Sequence, residues 1–119
     1  LPEARPVLDA AMAYARELLG RSDLRLGFWL NRMAPGERTG LHTHEEEGEL
    51  LSGVYYVRVP PHSGRLLLHH GAERHALVPA AGQFFFFAPA VPHGVEINRS
   101  DAVRLSLAFN VGPDGAPCG

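Results

Sequence analysis

The chain has 119 residues, enough for one domain with a single core and too few for separate catalytic and substrate domains. Its apolar share is 45%, its charged share is 20% and its formal charge is −2, as in an ordinary soluble globular protein. Lys is absent, and the Arg residues are scattered among Asp and Glu rather than gathered into one stripe. This composition does not favour nucleic acid as a partner.

Cysteine usage and hydropathy argue against a disulfide-rich protein, a thiol enzyme and a membrane protein. The single cysteine, Cys118, excludes an internal disulfide framework and makes a cysteine nucleophile improbable. We find no basic-then-apolar leader and no apolar run of membrane-spanning length. A cytoplasmic location is therefore expected, and no membrane partner.

One helix is predicted near the start, over residues 5 to 19. Pro6 suits a first turn and Gly20 suits a C-terminal stop. The apolar residues recur at three-and-four spacing: Leu8, Ala11, Met12, Ala15, Leu18 and Leu19. We expect residues 1–22 to form a helix packed outside a β domain of residues 23–119, the two together making one domain.

From Leu24 onward the pattern has period two, interrupted by clusters typical of turns. The clusters are Ala34-Pro-Gly-Glu, Pro60-Pro-His-Ser-Gly64, His70-Gly-Ala-Glu and Pro79-Ala-Ala-Gly82. Six or more short strands separated in this way predict an antiparallel sandwich or barrel. The fold class is therefore mainly β with one helix outside.

The strands separate into apolar and polar faces. In the last strand Val103, Leu105, Leu107 and Phe109 fall on one side, and Arg104, Ser106, Ala108 and Asn110 on the other. The apolar row should meet the core or the helix, so the other row should face a polar cavity. In two further strands Leu24, Leu26, Phe28 and Leu30 form an apolar row opposite Trp29 and Asn31, and Ser52, Val54 and Tyr56 share a face.

Three histidines predict a metal site. His42 and His44 project from one strand to the same side, and His93 can arrive from a neighbouring strand. Three imidazoles leave two or three positions open on an octahedral ion, as oxygen-using iron centres require. Arg104 can grip a carboxylate through two hydrogen bonds, with Ser106 and Tyr56 as further donors. Metal and arginine together predict a small dicarboxylate, namely 2-oxoglutarate.

Four sequence blocks carry a resemblance to the 2-oxoglutarate/Fe(II) oxygenase family. They are His42-Thr-His44, Leu51-Ser-Gly-Val-Tyr-Tyr-Val57, His93-Gly-Val-Glu-Ile-Asn98 and Arg104-Leu-Ser-Leu-Ala-Phe-Asn110. The resemblance implies a cupin-like double-stranded β-helix, Fe(II) held by His42, His44 and His93, and 2-oxoglutarate held by Arg104, Ser106 and Tyr56. Many relatives in the wider superfamily have an acidic residue where His44 stands. We assign Asn31 as a further cofactor-binding residue and Trp29, Ser52 and Asn110 as pocket walls.

Two alternatives stay open. Gly36, His42, His44 and Glu49 also match the start of the first cupin motif, and Glu49 would then be a fourth ligand. Such a three-His, one-Glu site holds iron, manganese, nickel, copper or zinc and serves a dioxygenase or isomerase that needs no keto acid. The second alternative is a non-catalytic metabolite-binding module. An Arg104 side chain that points into the metal cavity favours the oxygenase that uses 2-oxoglutarate. An Arg104 side chain that faces outward, or that pairs with Asp101, favours the cupin enzyme.

The remaining features have simpler interpretations. We interpret Glu45, Glu46 and Glu47 as a solvated acidic loop, and we expect no second metal site from His69, His70 and His75. Phe84–Phe87 should place two rings in the core and two against the helix or a partner surface, which favours a homodimer. The other partners expected are dioxygen and a substrate that is a small molecule or a protein side chain.

Overall fold

A computed structural model describes residues 4–43 and 48–115 of the chain. The predicted His44, Glu45, Glu46, Glu47 and Cys118 lie outside the described residues. The elements are α1 (Arg5–Leu19), β1 (Leu24–Met33), β2 (Thr39–His42), β3 (Leu51–Arg58), β4 (Leu66–His70), β5 (Glu73–Leu77), β6 (Phe84–Phe87), β7 (His93–Val95) and β8 (Arg104–Pro113).

The strands form two four-stranded antiparallel sheets. One has the order β1-β8-β3-β6 and the other has the order β2-β7-β4-β5. The chain changes sheet at every connection between these strands except the β4–β5 hairpin, six times in all, which is the winding of a double-sheet jelly roll. The predicted double-stranded β-helix is confirmed.

The helix packs on the outer face of the first sheet. It has Pro in its first turn and ends at Gly20, whose left-handed backbone (φ 65°) lets its N–H donate to Arg16 O at 2.9 Å. Ala11 and Ala15 are fully buried, because small side chains let the helix approach the sheet closely. Beneath them lie the core residues Leu24, Leu51, Leu107, Phe109 and Val111.

Strand β8 separates its two faces as the alternation predicts. Leu107, Phe109 and Val111 point toward the helix and are buried in the core. Arg104 and Ser106 on the opposite row are buried as well, at 4% and 8% exposure. A charged side chain that is buried on the face away from the core must lie in a cavity between the sheets.

The apolar row of β1 departs from the prediction. Leu24 is buried, but Phe28 and Leu30 are 45% and 54% exposed. The reason is that β1 is an edge strand, and only Leu24 and Leu26 join the clusters beneath the helix. A period-two pattern tells which face of the sheet a side chain points to, but it does not tell whether another element covers that face.

The four consecutive phenylalanines divide between the two faces of the sheet. Phe84 and Phe86 pack against Tyr14 of the helix, at ring-centroid distances of 5.3 and 6.0 Å. Phe85 and Phe87 face the cavity, where they contact Tyr56 and His93. The rings of Phe84 and Phe86 thus lie against the helix, which is one of the two placements predicted for the outer pair, and all four rings are half-buried. The homodimer stays a prediction.

In the part of the chain described here, no helix is both long and apolar enough to cross a lipid bilayer.

Candidate active site

The inner wall of the first sheet brings the predicted polar residues into adjacent rows. Ser106 of β8 is the register partner of Asn31 on one side and of Tyr56 on the other. Asn110 is likewise the partner of Ser52. Directly opposed residues on neighbouring strands point to the same face, so these five side chains share the cavity side of the sheet.

His42 and His93 meet on the second sheet. They are register partners in β2 and β7, and their ring centroids lie 4.3 Å apart. The Nδ1 of His42 donates to Gly40 O and the Nδ1 of His93 donates to Val91 O, both at 2.9 Å. A carbonyl can only accept, so each Nδ1 carries the proton and the lone pair of the neutral ring is on Nε2. This tautomer is the one that a metal-binding histidine with a carbonyl partner adopts.

The described residues supply two of the three predicted metal ligands. No three His, Cys, Asp or Glu side chains among them converge closely enough to hold a metal ion. This finding covers the combination of His42, His93 and Glu49. The third predicted ligand, His44, lies outside the described residues. The donor set of neutral imidazoles fits Fe(II) and other divalent first-row metals.

Arg104 begins β8 and points into the space between the sheets. Its Nη1 donates to Gly64 O at 3.1 Å and to Ser63 O at 3.5 Å. No Asp or Glu among the described residues forms an ion pair with it, and Asp101 is exposed. Burial lowers the pKa of Arg104 from its usual value. A buried cation without a counter-charge is costly, and an anionic ligand would offset this cost.

Tyr56 lies beside Arg104 on the same wall. The guanidinium carbon is 5.0 Å from the centre of the tyrosine ring, within the range of a cation–π contact. The Tyr56 hydroxyl is buried and makes no hydrogen bond of normal geometry to a described residue. Burial raises the pKa of the phenol, and the charge of Arg104 opposes this shift. The hydroxyl is therefore a protonated donor near neutral pH.

A cavity of about 130 Å³ lies at this end of the site. The residues that line it are Asn31, Arg32, Met33, Glu37, Arg38, Thr39, Val95, Arg104 and Ser106. This volume is below the ~300–1,000 Å³ of pockets for drug-sized ligands, so it suits a small molecule. The predicted cofactor-binding residues Arg104, Ser106 and Asn31 therefore meet in one cavity.

Two further wall residues carry unsatisfied polar atoms. Ser52 is 2% exposed, and its Oγ has no hydrogen-bond partner among the described residues. The Oδ1 of its register partner Asn110 is also buried without a partner there. Buried polar atoms are usually hydrogen-bonded, so this pair marks a place that a ligand or water would satisfy. Trp29 lies two residues from Asn31 on the same face of β1 and is 38% exposed.

Sequence reasoning missed three contributors. Phe87 packs against His93 at 4.6 Å between ring centroids, and the carbonyls of Ser63 and Gly64 hold Arg104.

Asn98 is 1% exposed, donates to Met33 O and Ala102 O, and accepts from Ser100. It thus fixes the turn that leads into Arg104. An Asn followed by Arg, Ser and Asp is a turn signal that could have indicated this role.

The other histidines lie away from this site or at its rim. Nε2 of His75 contacts Glu73 at 3.0 Å on the exposed β4–β5 hairpin. His69, His70 and His75 form no metal-binding cluster with each other or with Glu73, all of which the structure describes.

Both the sequence and the fold of the chain resemble known proteins. Residues 27–78 match the model of the family described as "Putative 2OG-Fe(II) oxygenase". The family resemblance carried by the sequence blocks is thereby confirmed over this range. The range includes His42 and Tyr56 and ends before His93 and Arg104, whose placement comes from the structure. No curated protein sequence matches the chain.

Several solved structures share the fold. An oxidoreductase of the 2OG-Fe(II) oxygenase family from Burkholderia pseudomallei has a TM-score of 0.78 and 19% identity, over 94% of this chain and 57% of its own. A Pseudomonas putida prolyl-4-hydroxylase has a TM-score of 0.70 and 23% identity, over 89% and 63%. HygX from Streptomyces hygroscopicus, with nickel and 2-oxoglutarate bound, has a TM-score of 0.69 and 17% identity, over 95% and 69%.

These similarities define the class of fold as the double-stranded β-helix of the 2-oxoglutarate oxygenases. The chain spans about three fifths of the length of the first two structures.

Proposed function

We propose that the chain carries the metal- and cosubstrate-binding core of an Fe(II)- and 2-oxoglutarate-dependent oxygenase. His42, His44 and His93 would hold the metal. Arg104, Ser106, Tyr56 and Asn31 would hold the distal carboxylate of 2-oxoglutarate. When bound, Fe(II) supplies the oxidising chemistry, in which dioxygen converts 2-oxoglutarate to succinate and CO2 and hydroxylates a C–H bond of the substrate.

The observation that carries this proposal is the buried, inward Arg104. A structural arginine in a protein interior is normally paired with a carboxylate, because an unpaired buried charge is costly. Arg104 instead has two backbone carbonyls as acceptors and lines a small cavity. A dicarboxylate with one end at the metal and the other at Arg104 would satisfy both the ion and the guanidinium.

The position of Arg104 also separates this proposal from the cupin alternative. An outward Arg104, or one paired with Asp101, would have favoured a metal site that works without a keto acid. The side chain is buried on the cavity face and has no acidic partner among the described residues. We therefore favour the keto acid, and we take the prime substrate to be a small molecule or a protein side chain.

The other residues would bind and orient. The carbonyl contacts of His42 and His93 keep Nε2 as the ligand atom, so the rings need no tautomer change when metal binds. The Tyr56 hydroxyl would donate to the cosubstrate carboxylate. The Ser52–Asn110 pair would contact ligands on the metal side of the cavity, and Trp29 would form the wall on the β1 side.

The test is an anaerobic titration of the iron-loaded protein with 2-oxoglutarate. We expect a metal-to-ligand absorption band that saturates at one equivalent, followed by succinate formation on exposure to oxygen. Arg104→Ala should lose the band at the same concentrations, and the exposed Arg99→Ala should keep it. Tight iron binding without any 2-oxoglutarate band would favour the cupin alternative instead.

A further inference from the structure

We propose that the turn of Ser63 and Gly64, fixed by the Arg65–Glu96 ion pair, positions Arg104 for the cosubstrate. The proposal rests on the proposed function, since it concerns the residue assigned to the 2-oxoglutarate carboxylate. It assigns a role to three residues that do not touch the cosubstrate: Gly64, Arg65 and Glu96.

The turn holds Arg104 without neutralising it. Both acceptors of the guanidinium are backbone carbonyls, at 3.1 Å for Gly64 and 3.5 Å for Ser63. A carbonyl fixes the direction of an N–H and carries no formal charge. A carboxylate in the same place would compete with the anionic ligand. The turn therefore orients the arginine and preserves its attraction for a carboxylate.

The turn is itself tied to the segment that follows β7. Arg65 donates to Glu96 through its backbone N–H (3.1 Å) and its Nε (2.6 Å), both to Oε1, and through Nη2 to Oε2 at 2.9 Å. The backbone N–H of Glu96 donates in return to Arg65 O at 3.0 Å. Bidentate pairs of this kind add geometric specificity to an otherwise weak surface ion pair.

Gly64 is required by the close approach of these two segments. Its φ is +106°, and a Cβ added there would lie 2.2 Å from Glu96 O. That contact is with backbone, which cannot swing aside as a flexible side chain can. Any side chain at position 64 must therefore move the turn, and the carbonyls that hold Arg104 move with it.

The arrangement links the two ends of the cosubstrate site. Glu96 follows the metal-ligand candidate His93 by three residues, and it binds Arg65 next to the turn that holds Arg104. The segment from His93 to Glu96 thus connects the metal-ligand candidate to the turn that holds Arg104. We therefore expect that weakening the Arg65–Glu96 ion pair lowers the affinity for 2-oxoglutarate and leaves the metal site intact.

The experiment compares Glu96→Gln and Gly64→Ala with matched controls. Glu73→Gln removes an exposed acid from another surface pair, and Gly71→Ala alters a positive-φ glycine (φ 61°) with open space around it. The measurements are the Kd for 2-oxoglutarate by anaerobic calorimetry on the Fe(II) protein, the Kd for Fe(II), and KM and kcat from succinate formation. Glu96→Gln changes one exposed side chain, so it decides the question if Gly64→Ala loses its fold.

We expect the Kd and KM for 2-oxoglutarate to rise about tenfold in both test variants, which corresponds to ~1.4 kcal/mol. The Kd for Fe(II), kcat at saturating 2-oxoglutarate and both controls should match the wild type. Wild-type affinity for 2-oxoglutarate in Glu96→Gln would overturn the positioning role, as would an equal loss of iron binding. If the wild-type protein itself binds no 2-oxoglutarate, the proposed function fails, which is a different result from failure of the positioning role alone.

Discussion

The guanidinium carbon of Arg104 lies 5.0 Å from the centre of the Tyr56 ring on the neighbouring strand. The guanidinium lies over the ring, and the carbonyls of Ser63 and Gly64 accept from one of its nitrogens. Neither contact cancels the positive charge. The protein thus orients this arginine firmly and keeps its charge available to a ligand.

Replacing Arg104 by Ala should weaken 2-oxoglutarate binding by about 10- to 100-fold. The expected loss is that of a charge-assisted hydrogen-bonded pair, about 1.5–3 kcal/mol. Iron affinity should not change, because Arg104 is not a ligand candidate. Calorimetry on the Fe(II) protein measures both quantities. An unchanged Kd for 2-oxoglutarate would exclude Arg104 as the cosubstrate contact and leave the metal site in place.

Tyr56→Phe should lower the affinity for 2-oxoglutarate without destabilising the fold. The Tyr56 hydroxyl is buried without a normal hydrogen bond to a described residue, so its removal relieves a desolvation cost in the ligand-free protein. We expect the free energy of unfolding to stay equal or rise by about 1 kcal/mol. Affinity for 2-oxoglutarate should fall severalfold, because a donor is lost. Denaturant unfolding and calorimetry give the two values, and a loss of stability with unchanged affinity would assign the hydroxyl a structural role.

The face of each β8 residue could be predicted from sequence because alternation in a strand is local geometry. Alternation alone places Arg104 and Ser106 on the cavity side and Leu107 and Phe109 on the core side, as the structure has them. The exposure of Phe28 could not be predicted in the same way. It depends on how far the helix extends across the edge strand, which is a matter of tertiary packing.

The pairing of His42 with His93 was also within reach of sequence reasoning, since imidazole chemistry limits what such residues do together. The acceptors of Arg104 were not. Ser63 and Gly64 contribute carbonyl oxygens, which every residue has, so no side-chain pattern signals them. Gly64 could be recognised as a turn residue, whereas its contact with Glu96 depends on the packing of two loops.

His93→Ala should remove tight iron binding. Loss of a residue that hydrogen-bonds to a metal ligand typically lowers metal affinity 10- to 100-fold. Loss of a ligand itself should lower the iron affinity further. His70→Ala is the matched control, because His70 lies on the exposed hairpin outside the pair that His42 and His93 form. Metal content after dialysis against a chelator measures the effect. Full iron content in His93→Ala would contradict the assigned site.

The Arg65–Glu96 pair should make a local, pH-dependent contribution to stability. Hydrogen bonds from Arg65 lower the pKa of Glu96 below its usual 4.5. Because the folded-state pKa is lower than the unfolded one, the contribution is complete above the usual value and is lost as pH falls through the lowered value. NMR titration of the Glu96 carboxyl should show this, and Arg65→Met should bring the pKa back toward 4.5. The remote Arg74→Met should leave it unchanged, and a normal Glu96 pKa in the wild type would refute the pairing in solution.

Phe28 and Phe109 are register partners with different surroundings, so they test where the core lies. Phe109 is 1% exposed beneath the helix, and Phe28 is 45% exposed beside it on the edge strand. Phe109→Ala should cost about 3–5 kcal/mol, as expected for emptying a buried aromatic site. Phe28→Ala should cost about 1 kcal/mol or less, in line with substitutions at partly exposed positions. Urea unfolding at one pH measures both, and comparable losses would mean that Phe28 is covered in solution by something that the helix does not provide.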